Sequence, residues 1–257
     1  MKIERIGIVF DRKKPAARQL ALKAKDWLEK KGCKASIQPL PNENQGLDLI
    51  VTFGGDGFIL HTANTILSEK LSIPLLRVNF GKRGFLANIE PEKLFEELNK
   101  VLEDNYIITR RTRIEVEIQS GIRPAIKTDA LNDVVIERTQ TRTVLFRVNI
   151  NKKEDIEREG DGLIFSTRTG ASAYNRSASG PILIKEDRFV LTVISPVDPE
   201  KSFYFVRPAN SVFKVNNIEG YVRVVVDGNE LVELSRDDSV VIKRSSKNTL
   251  FMELGDL

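Results

Sequence analysis

The N-terminal part of the sequence alternates short apolar runs with stretches of helical spacing, and this alternation restricts the fold more than any other feature. The apolar runs are RIGIVF, KASIQPL, LDLIVTF and IPLLRVNF, and helical spacing is found over residues 15–31, 58–70 and 90–105. Such runs indicate buried strands, and strands that alternate with helices form a parallel sheet that the helices cover. We therefore predict an α/β fold that begins with a Rossmann-like parallel sheet.

The pattern changes after Asn105, where alternation of polar and apolar residues replaces helical spacing. RIEVEI alternates strictly, LFRVNI and YVRVVV are strand-like, and Asp227-Gly228 between two apolar runs is a strong hairpin signal. We expect an α/β domain over residues 1–105 and a β-rich, antiparallel, sandwich-like domain over residues 106–257. The pattern leaves open whether the last ~20 residues return to the first domain.

Composition excludes several classes of protein. One cysteine, Cys33, and one histidine, His61, in 257 residues rule out an intrachain disulfide, a thiolate metal cluster and a metal site built on several histidines. A net charge of +4 is too small and too scattered to indicate nucleic acid. No apolar run approaches the ~20 residues of a membrane span, and the N-terminus lacks signal-peptide features. We expect a cytoplasmic protein without a membrane or nucleic-acid partner.

The motif GGDG, residues 54–57, places Asp56 in a glycine loop between a predicted strand and a predicted helix. The N–H groups of such a loop favour anions, so a carboxylate in it needs a compensating role. It either orients a hydroxyl or binds Mg²⁺ in phosphoryl transfer, or it only caps the helix. His61, in the same helix, is either a half-buried side chain or a contact to phosphate or ribose.

Two further clusters carry polar groups. In ALNDVVIER, Asn132 and Asp133 precede a strand, where an amide beside a carboxylate suits a base edge or a ribose diol but is also common in strand-entry turns. The stretch GDGLIFSTRTGASAYNRSASGPIL is rich in glycine and small hydroxyl residues. Its Tyr174 suits stacking on a base, and its Asp161 suits accepting from an amine. Because long irregular stretches in compact domains usually carry function, we interpret it as a ligand site rather than a plain connection.

Together these motifs resemble those of the NAD kinase family. The resemblance rests on GGDG, NFGKRGFL, LNDVVIER, GDGLIFSTRTGASAY and SAxGPI, in this order, and covers roughly residues 47–230. GGDG alone is shared with phosphofructokinases and with diacylglycerol and sphingosine kinases, whereas the later motifs are not. The combination is therefore far more specific than the glycine loop.

The resemblance implies a role for each matched residue, carried over position by position. It makes Asp56 the catalytic aspartate and the β-rich domain the NAD-binding domain, and it assigns no residue as a metal ligand. The residues that it assigns to NAD binding are Asp56, Gly57, His61, Asn132, Asp133, Arg142, Asp161, Ser172, Ala173, Tyr174 and Ser177.

The activity that the resemblance implies is transfer of the γ-phosphoryl group of ATP to the adenosine 2′-hydroxyl of NAD, giving NADP and ADP. Mg²⁺ would act with ATP, there would be no tightly bound organic cofactor, and the protein would be a homo-oligomer. The donor (ATP or polyphosphate), the acceptance of NADH, and the choice of dimer or tetramer stay open. A lipid or sugar kinase that shares GGDG, and a non-catalytic NADP-binding sensor, are the alternative functions.

The sequence also departs from the family pattern. Where the family usually reads TPTGSTAY, this chain has Arg168 for the proline, Ala171 for the serine and Ser172 for the last threonine. Arg168 either contacts phosphate or is exposed to solvent, and Glu159 stands where some members are basic. Other basic residues that are either phosphate contacts or solvated surface are Lys82, Arg83 and Arg110–Arg113.

Overall fold

A computed structural model gives the fold, and it describes residues 2–38, 46–68, 71–82 and 84–254. The chain forms two compact units, which are Met1–Arg110 with Thr249–Leu257, and Arg111–Asn248. None of the helices in the described ranges is long and apolar enough to cross a membrane.

The first unit is a parallel sheet with helices, as the sequence pattern predicts. Its elements are β1 (Arg5–Phe10), α1 (Pro15–Lys30), β2 (Lys34–Ile37), β3 (Leu49–Gly54), α2 (Asp56–Ser68), β4 (Leu75–Asn79), a 3-10 turn at Pro91–Lys93 and α3 (Leu94–Leu102). The strands lie in the order β2-β1-β3-β4, and every pair is parallel. The predicted strand KASIQPL ends at Ile37, and its residues 39 and 40 lie outside the described residues.

Local sequence explains the elements that lead to the GGDG loop. Helix α1 starts with a proline, whose missing N–H costs nothing at that position, and Gly32 follows its end with φ +89°. Strand β3 lies between β1 and β4 and is buried along its whole length, which is why it reads as an unbroken apolar run. Its carboxyl end leads directly into α2, so Asp56 lies at the edge of the sheet where α/β proteins bind ligands.

The second unit is built almost entirely of antiparallel strands. Its elements are β5 (Ile107–Gln119), β6 (Ile126–Ala130), β7 (Asp133–Arg138), β8 (Val144–Ile150), β9 (Glu154–Gly160), β10 (Gly162–Ser166), a 3-10 turn at Gly170–Ser172, α4 (Tyr174–Ser177), β11 (Arg188–Ile194), β12 (Tyr204–Pro208), β13 (Phe213–Glu219), β14 (Val222–Val226), β15 (Asn229–Leu234) and β16 (Ser239–Glu253). Strands β5 and β16 each have a few residues in the first unit.

Two layers of strands enclose the core of the second unit. One layer has the order β12-β11-β10-β7-β14-β15, and the other contains β16-β13-β8-β9 together with the pair β5-β6. Apolar side chains of both layers form one core, in which the rings of Phe165 and Phe213 meet edge to face at 5.4 Å. The hairpin predicted at Asp227-Gly228 joins β14 to β15, and both residues have positive φ, as a type I′ turn requires. The predicted α/β fold class is confirmed.

Candidate active site

The carboxylate of Asp56 is held by a second segment of the first unit. Its Oδ2 atom accepts a hydrogen bond from the N–H of Phe85 at 3.0 Å, and its Oδ1 atom accepts from Leu86 at 3.1 Å and Ala87 at 3.4 Å. A carboxylate has about four lone-pair sites, so Oδ2 can still accept from a ligand. Asp56 therefore ties the NFGKRGFL segment to the start of α2, which is more than capping its own helix.

A lysine that the sequence analysis missed lies beside the GGDG loop. The ammonium group of Lys14 donates to the carbonyl of Phe80, and it lies 3.5 Å from the position that a Cβ atom on Gly55 would occupy. The Cα atom of Gly81 lies 3.3 Å from that same position, so the loop packs tightly there. This geometry places a positive charge next to a loop whose N–H groups favour anions.

In the second unit, the backbone of Asn132 and Asp133 is fixed from two sides. On one side, the N–H of Thr167 donates to the carbonyl of Asn132 at 3.0 Å, and the hydroxyl of Thr167 donates to the carbonyl of Leu131 at 2.6 Å. A Cβ atom on Gly170 would lie 2.1 Å from the Asn132 carbonyl oxygen, so only glycine fits. On the other side, the carboxylate of Asp227 accepts from consecutive backbone N–H groups.

Two of the nine buried side-chain atoms that have no hydrogen-bond partner in the described residues belong to this part of the chain. Over the described ranges, the Oδ1 atom of Asn132 and the Oγ1 atom of Thr169 are buried and have no hydrogen-bond partner. Folded proteins leave few such atoms unsatisfied, and each calls for an explanation. A strand-entry turn does not supply one, whereas a ligand with hydrogen-bond donors does.

Asp133 is a buried carboxyl group with an altered proton affinity. Asp133 is only 5% exposed to solvent. Burial raises its pKa to about 7, and the neighbouring carboxylate of Asp227 contributes to the rise. Near neutral pH, Asp133 can therefore donate a hydrogen bond as well as accept one, whereas a fully ionised carboxylate can only accept.

The raised pKa predicts how stability depends on pH. Between about pH 4 and pH 7 the unfolded chain ionises Asp133 before the folded chain does, so its stabilising contribution is lost as pH rises. Asp133→Asn should therefore be more stable than wild type at pH 8, by roughly 2–4 kcal/mol, and not at pH 4. Urea unfolding at both pH values measures this. The exposed Asp155→Asn is the control, and an equal gain at both pH values would contradict the prediction.

Two predicted ligand residues, Asp161 and Tyr174, line one pocket of about 460 Å³ in the second unit. Asp161 pairs with Arg138 at 2.7 Å. Burial raises the pKa of the Tyr174 phenol, and nearby carboxylates, among them Asp133, raise it further. The pocket thus joins an aromatic face to paired charges, and its lining residues are Glu137, Arg138, Thr139, Gln140, Thr141, Asp161, Tyr174, Ile194 and Arg223.

Ser172, Ala173 and Ser177 lie on the short helical turns around Tyr174. Ser172 is half-buried and its hydroxyl donates to the carbonyl of Thr169 at 3.3 Å, while Ala173 and Ser177 are exposed. These residues therefore frame Tyr174, and contact with NAD stays a prediction for each of them.

A buried asparagine, absent from the sequence analysis, holds these turns in place. Asn175 donates to the carbonyl of Pro181 at 2.9 Å and accepts from the hydroxyl of Thr192 at 2.6 Å. A Cβ atom on Gly180 would lie 2.2 Å from its Oδ1 atom, which explains the glycine of SAxGPI. Asn175 thereby fixes the backbone next to Tyr174. The sequence could have indicated this role, because Asn175 directly follows Tyr174 in the stretch GDGLIFSTRTGASAYNRSASGPIL.

The remaining predicted residues are exposed. His61 is exposed on α2, so its interpretation as a half-buried helical histidine is wrong. Gly57 is exposed, and a Cβ atom there would meet nothing within 4 Å. Arg142 is exposed in the turn after β7, and the pocket lining includes Thr141, one residue before it.

Several basic residues are not the solvated side chains that the sequence analysis gave as one of two interpretations. Arg168 is half-buried and pairs with Glu186 at 3.0 Å, so it is not simply exposed to solvent. Arg111 pairs with the same carboxylate at 3.1 Å. Arg113 is 0% exposed, so it is neither a solvated side chain nor a surface phosphate contact. Arg83 lies outside the described residues.

Two family models cover more than half of the chain. The model for the ATP-NAD kinase N-terminal domain matches residues 39–106, and the model for the ATP-NAD kinase C-terminal domain matches residues 131–254. The chain belongs to the NAD kinase family. This membership confirms the resemblance and decides against the lipid and sugar kinases that share only the GGDG loop.

Individual NAD kinases are similar along nearly the whole chain. A protein named NAD kinase from Dehalococcoides mccartyi strain CBDB1 is 32% identical over 98% of this chain and 91% of its own length. Another from Treponema denticola is 30% identical over 95% of this chain and 88% of its own.

Solved structures of an NADH kinase and of an NAD kinase share the fold. The crystal structure of yeast NADH kinase complexed with NADH has a TM-score of 0.86 at 20% identity, covering 99% of this chain and 84% of the other. That of an NAD kinase from Archaeoglobus fulgidus in complex with ATP has a TM-score of 0.78 at 23% identity, covering 97% and 93%. At these identities, the similarity establishes the fold.

Proposed function

We propose that this chain transfers the γ-phosphoryl group of ATP to the adenosine 2′-hydroxyl of NAD, giving NADP and ADP. Membership of the NAD kinase family supports this reaction. The observation that carries it is the Asp56 carboxylate, oriented by the N–H groups of residues 85–87 with acceptor capacity left for a hydroxyl.

In this proposal Asp56 orients the 2′-hydroxyl and receives its proton. A carboxylate is a far weaker base than an alkoxide, so it does not ionise the hydroxyl in advance. It accepts the proton late, after the bond to the leaving group has largely broken, as a loose phosphoryl transition state allows. Positioning by the chain then contributes much of the acceleration, because the reacting atoms are held in line.

We place the ATP phosphates near the GGDG loop and Lys14. Mg²⁺ would arrive with ATP and neutralise phosphate charge, and it commonly takes one or two carboxylates besides phosphates and water. Among the residues that the structure describes, no group of three or more His, Cys, Asp and Glu side chains is placed to hold a metal. Phosphate oxygens and water would then hold the metal, and Asp56 stays available to the 2′-hydroxyl.

Lys14→Met should raise KM for ATP by about 10- to 100-fold, since a charge-assisted hydrogen bond is worth roughly 1.5–3 kcal/mol. KM for NAD should change little, because the ammonium group is assigned to the donor phosphates. Steady-state kinetics with each substrate varied in turn measures both constants. Lys25→Met is the matched control, because Lys25 lies on α1, which begins one residue after Lys14, and pairs with the exposed Glu29. An equal rise in both KM values in Lys14→Met would contradict the assignment.

We place NAD against the pocket of Asp161 and Tyr174 and the segment of Asn132 and Asp133. The buried Oδ1 atom of Asn132 and hydroxyl of Thr169 support this, because amine and hydroxyl groups of the dinucleotide would satisfy them. Six further residues are proposed to contact the same ligand. Five of them are exposed, namely Gly57, His61, Arg142, Ala173 and Ser177, and Ser172 is half-buried.

The central test is formation of NADP from NAD, ATP and Mg²⁺ by the purified protein. Parallel reactions with polyphosphate as donor and NADH as acceptor define the substrates. Tight NADP binding without turnover would favour the sensor instead. We also propose that the protein is a cytoplasmic homo-oligomer, and light scattering after size-exclusion chromatography distinguishes dimer from tetramer.

A further inference from the structure

The turn between β14 and β15 contributes one carboxylate to three consecutive backbone N–H groups. Oδ2 of Asp227 accepts from Leu131 at 2.8 Å, and Oδ1 accepts from Asn132 at 2.7 Å and from Asp133 at 3.2 Å. The N–H of Asp227 donates back to the carbonyl of Asp133 at 3.0 Å. Asn-Gly and Gly-Gly form a type I′ turn as Asp-Gly does, so the turn accepts an aspartate here but does not require its carboxylate.

The charge of Asp227 is stabilised although the residue is only 7% exposed. The guanidinium of Arg113, whose side chain is fully buried, lies 3.9 Å from its Oδ2 atom. Arg113 also donates to the carbonyl of Asp129 at 3.3 Å. Three N–H donors and a nearby cation replace the hydrogen bonds to water that this carboxylate loses on burial.

We propose that Asp227 is a positioning residue for nucleotide binding, acting through Asn132 and Asp133; this inference rests on the proposed function. Asp227 holds the N–H side of this segment, while Thr167 and Gly170 fix its carbonyl side. With both sides of the backbone fixed, the Asn132 amide is left with a free buried oxygen for the ligand.

Asp227 also acts on Asp133 through its charge. The carboxylate disfavours ionisation of Asp133, whose pKa of about 7 results first from burial and then from Asp227. NAD binding should therefore change with pH near neutrality, and removing the charge of Asp227 should move that change to lower pH. The other charged or titratable groups around this cluster are Arg113 on β5, Asp129 on β6, Glu137 on β7, Asp161 before β10 and Tyr174 on α4.

The test compares Asp227→Asn with wild type by calorimetry with NAD across pH 5.5–8.5 and by steady-state kinetics. We expect a rise of about tenfold in Kd and KM for NAD, a kcat within about threefold, and a midpoint of the pH dependence lower by about half a pH unit or more. A residue that served only the fold would lower the amount of active protein without moving the midpoint.

Asp238→Asn is the matched control. Asp238 is also a carboxylate of the second unit, 2% exposed, which accepts from a backbone N–H and pairs with an arginine, Arg123. It should lose stability to a similar degree but keep the NAD affinity and the pH midpoint of wild type.

The outcomes separate this inference from the proposed function. Wild-type protein that neither binds NAD nor forms NADP overturns both. Active wild type with a folded Asp227→Asn variant of unchanged KM and midpoint overturns the inference alone. If Asp227→Asn does not fold, Asp227→Glu keeps the charge on a longer side chain, so KM for NAD should rise while the midpoint moves by less than about half a pH unit. An unchanged KM in that variant likewise overturns the inference.

Discussion

Replacing Asp56 by asparagine is expected to lower kcat for NADP formation by about 10²–10⁴-fold, the range that general-base catalysis contributes. KM for NAD should stay within a few-fold, because the pocket of Asp161 and Tyr174 is unchanged. The reason is chemical, since an amide can align a hydroxyl but cannot accept its proton. Steady-state kinetics and calorimetry with NAD measure the two effects separately.

The substitution also alters the contact with the NFGKRGFL segment. Asparagine has one carboxamide oxygen, so the N–H groups of Phe85 and Leu86 cannot keep their separate acceptors. Asn79→Ala is therefore the matched control, because Asn79 accepts from the N–H of Gly81 at 2.9 Å and steadies the same segment without a carboxylate. Loss of activity in both variants to the same extent, or full activity in Asp56→Asn, would refute the assignment of Asp56 as the base.

Gly170→Ala is expected to abolish measurable NAD binding and to destabilise the protein by about 3 kcal/mol or more. Its Cβ atom would lie 2.1 Å from the carbonyl oxygen of Asn132 and 2.4 Å from the carbonyl carbon, and backbone atoms cannot rotate away as a side chain can. Overpacking usually costs about 1–3 kcal/mol, and a clash between two backbone segments belongs at or above the top of that range. Thermal unfolding and calorimetry with NAD measure both losses.

The control for this prediction is Gly121→Ala. Gly121 lies in the same unit, is exposed, and has no atom within 4 Å of the position of its added Cβ. It should leave stability within about 0.5 kcal/mol of wild type and NAD affinity unchanged. If Gly170→Ala had the same unfolding temperature and NAD affinity as this control, the close contact with Asn132 would not be needed for stability or for NAD binding.

Local patterns in the sequence were sufficient for most of the architecture. The apolar run before Gly54 is the buried strand β3, the proline at residue 15 opens α1, and the Asp227-Gly228 pair is the turn of a hairpin. These signals succeed because the spacing of side chains along a helix or strand involves only neighbours in sequence. The family could also be inferred from the sequence, because its motifs are short and contiguous.

The surroundings of the candidate site residues could not be predicted from the sequence in this way. Lys14 reaches a carbonyl 66 residues away, and Asp227 reaches the N–H of Asn132 from 95 residues away. Arg113 belongs to a basic run, which is typical of solvated surface, yet the strand it occupies buries it completely. His61 shows the opposite case, since its helix exposes it. Contact with substrate stays a prediction for each of the site residues.

The sequence by itself determined the order of strands and helices, the change from an α/β to a β-rich half, and the motifs of the NAD kinase family. Only the tertiary structure decided which charges are buried, that the Asp56 carboxylate is held by residues 85–87, and that Asp227 supports Asn132 and Asp133. The physical reason is that periodicity and motifs depend on neighbours along the chain. Burial, proton affinity and hydrogen-bond partners depend instead on groups that only folding brings together.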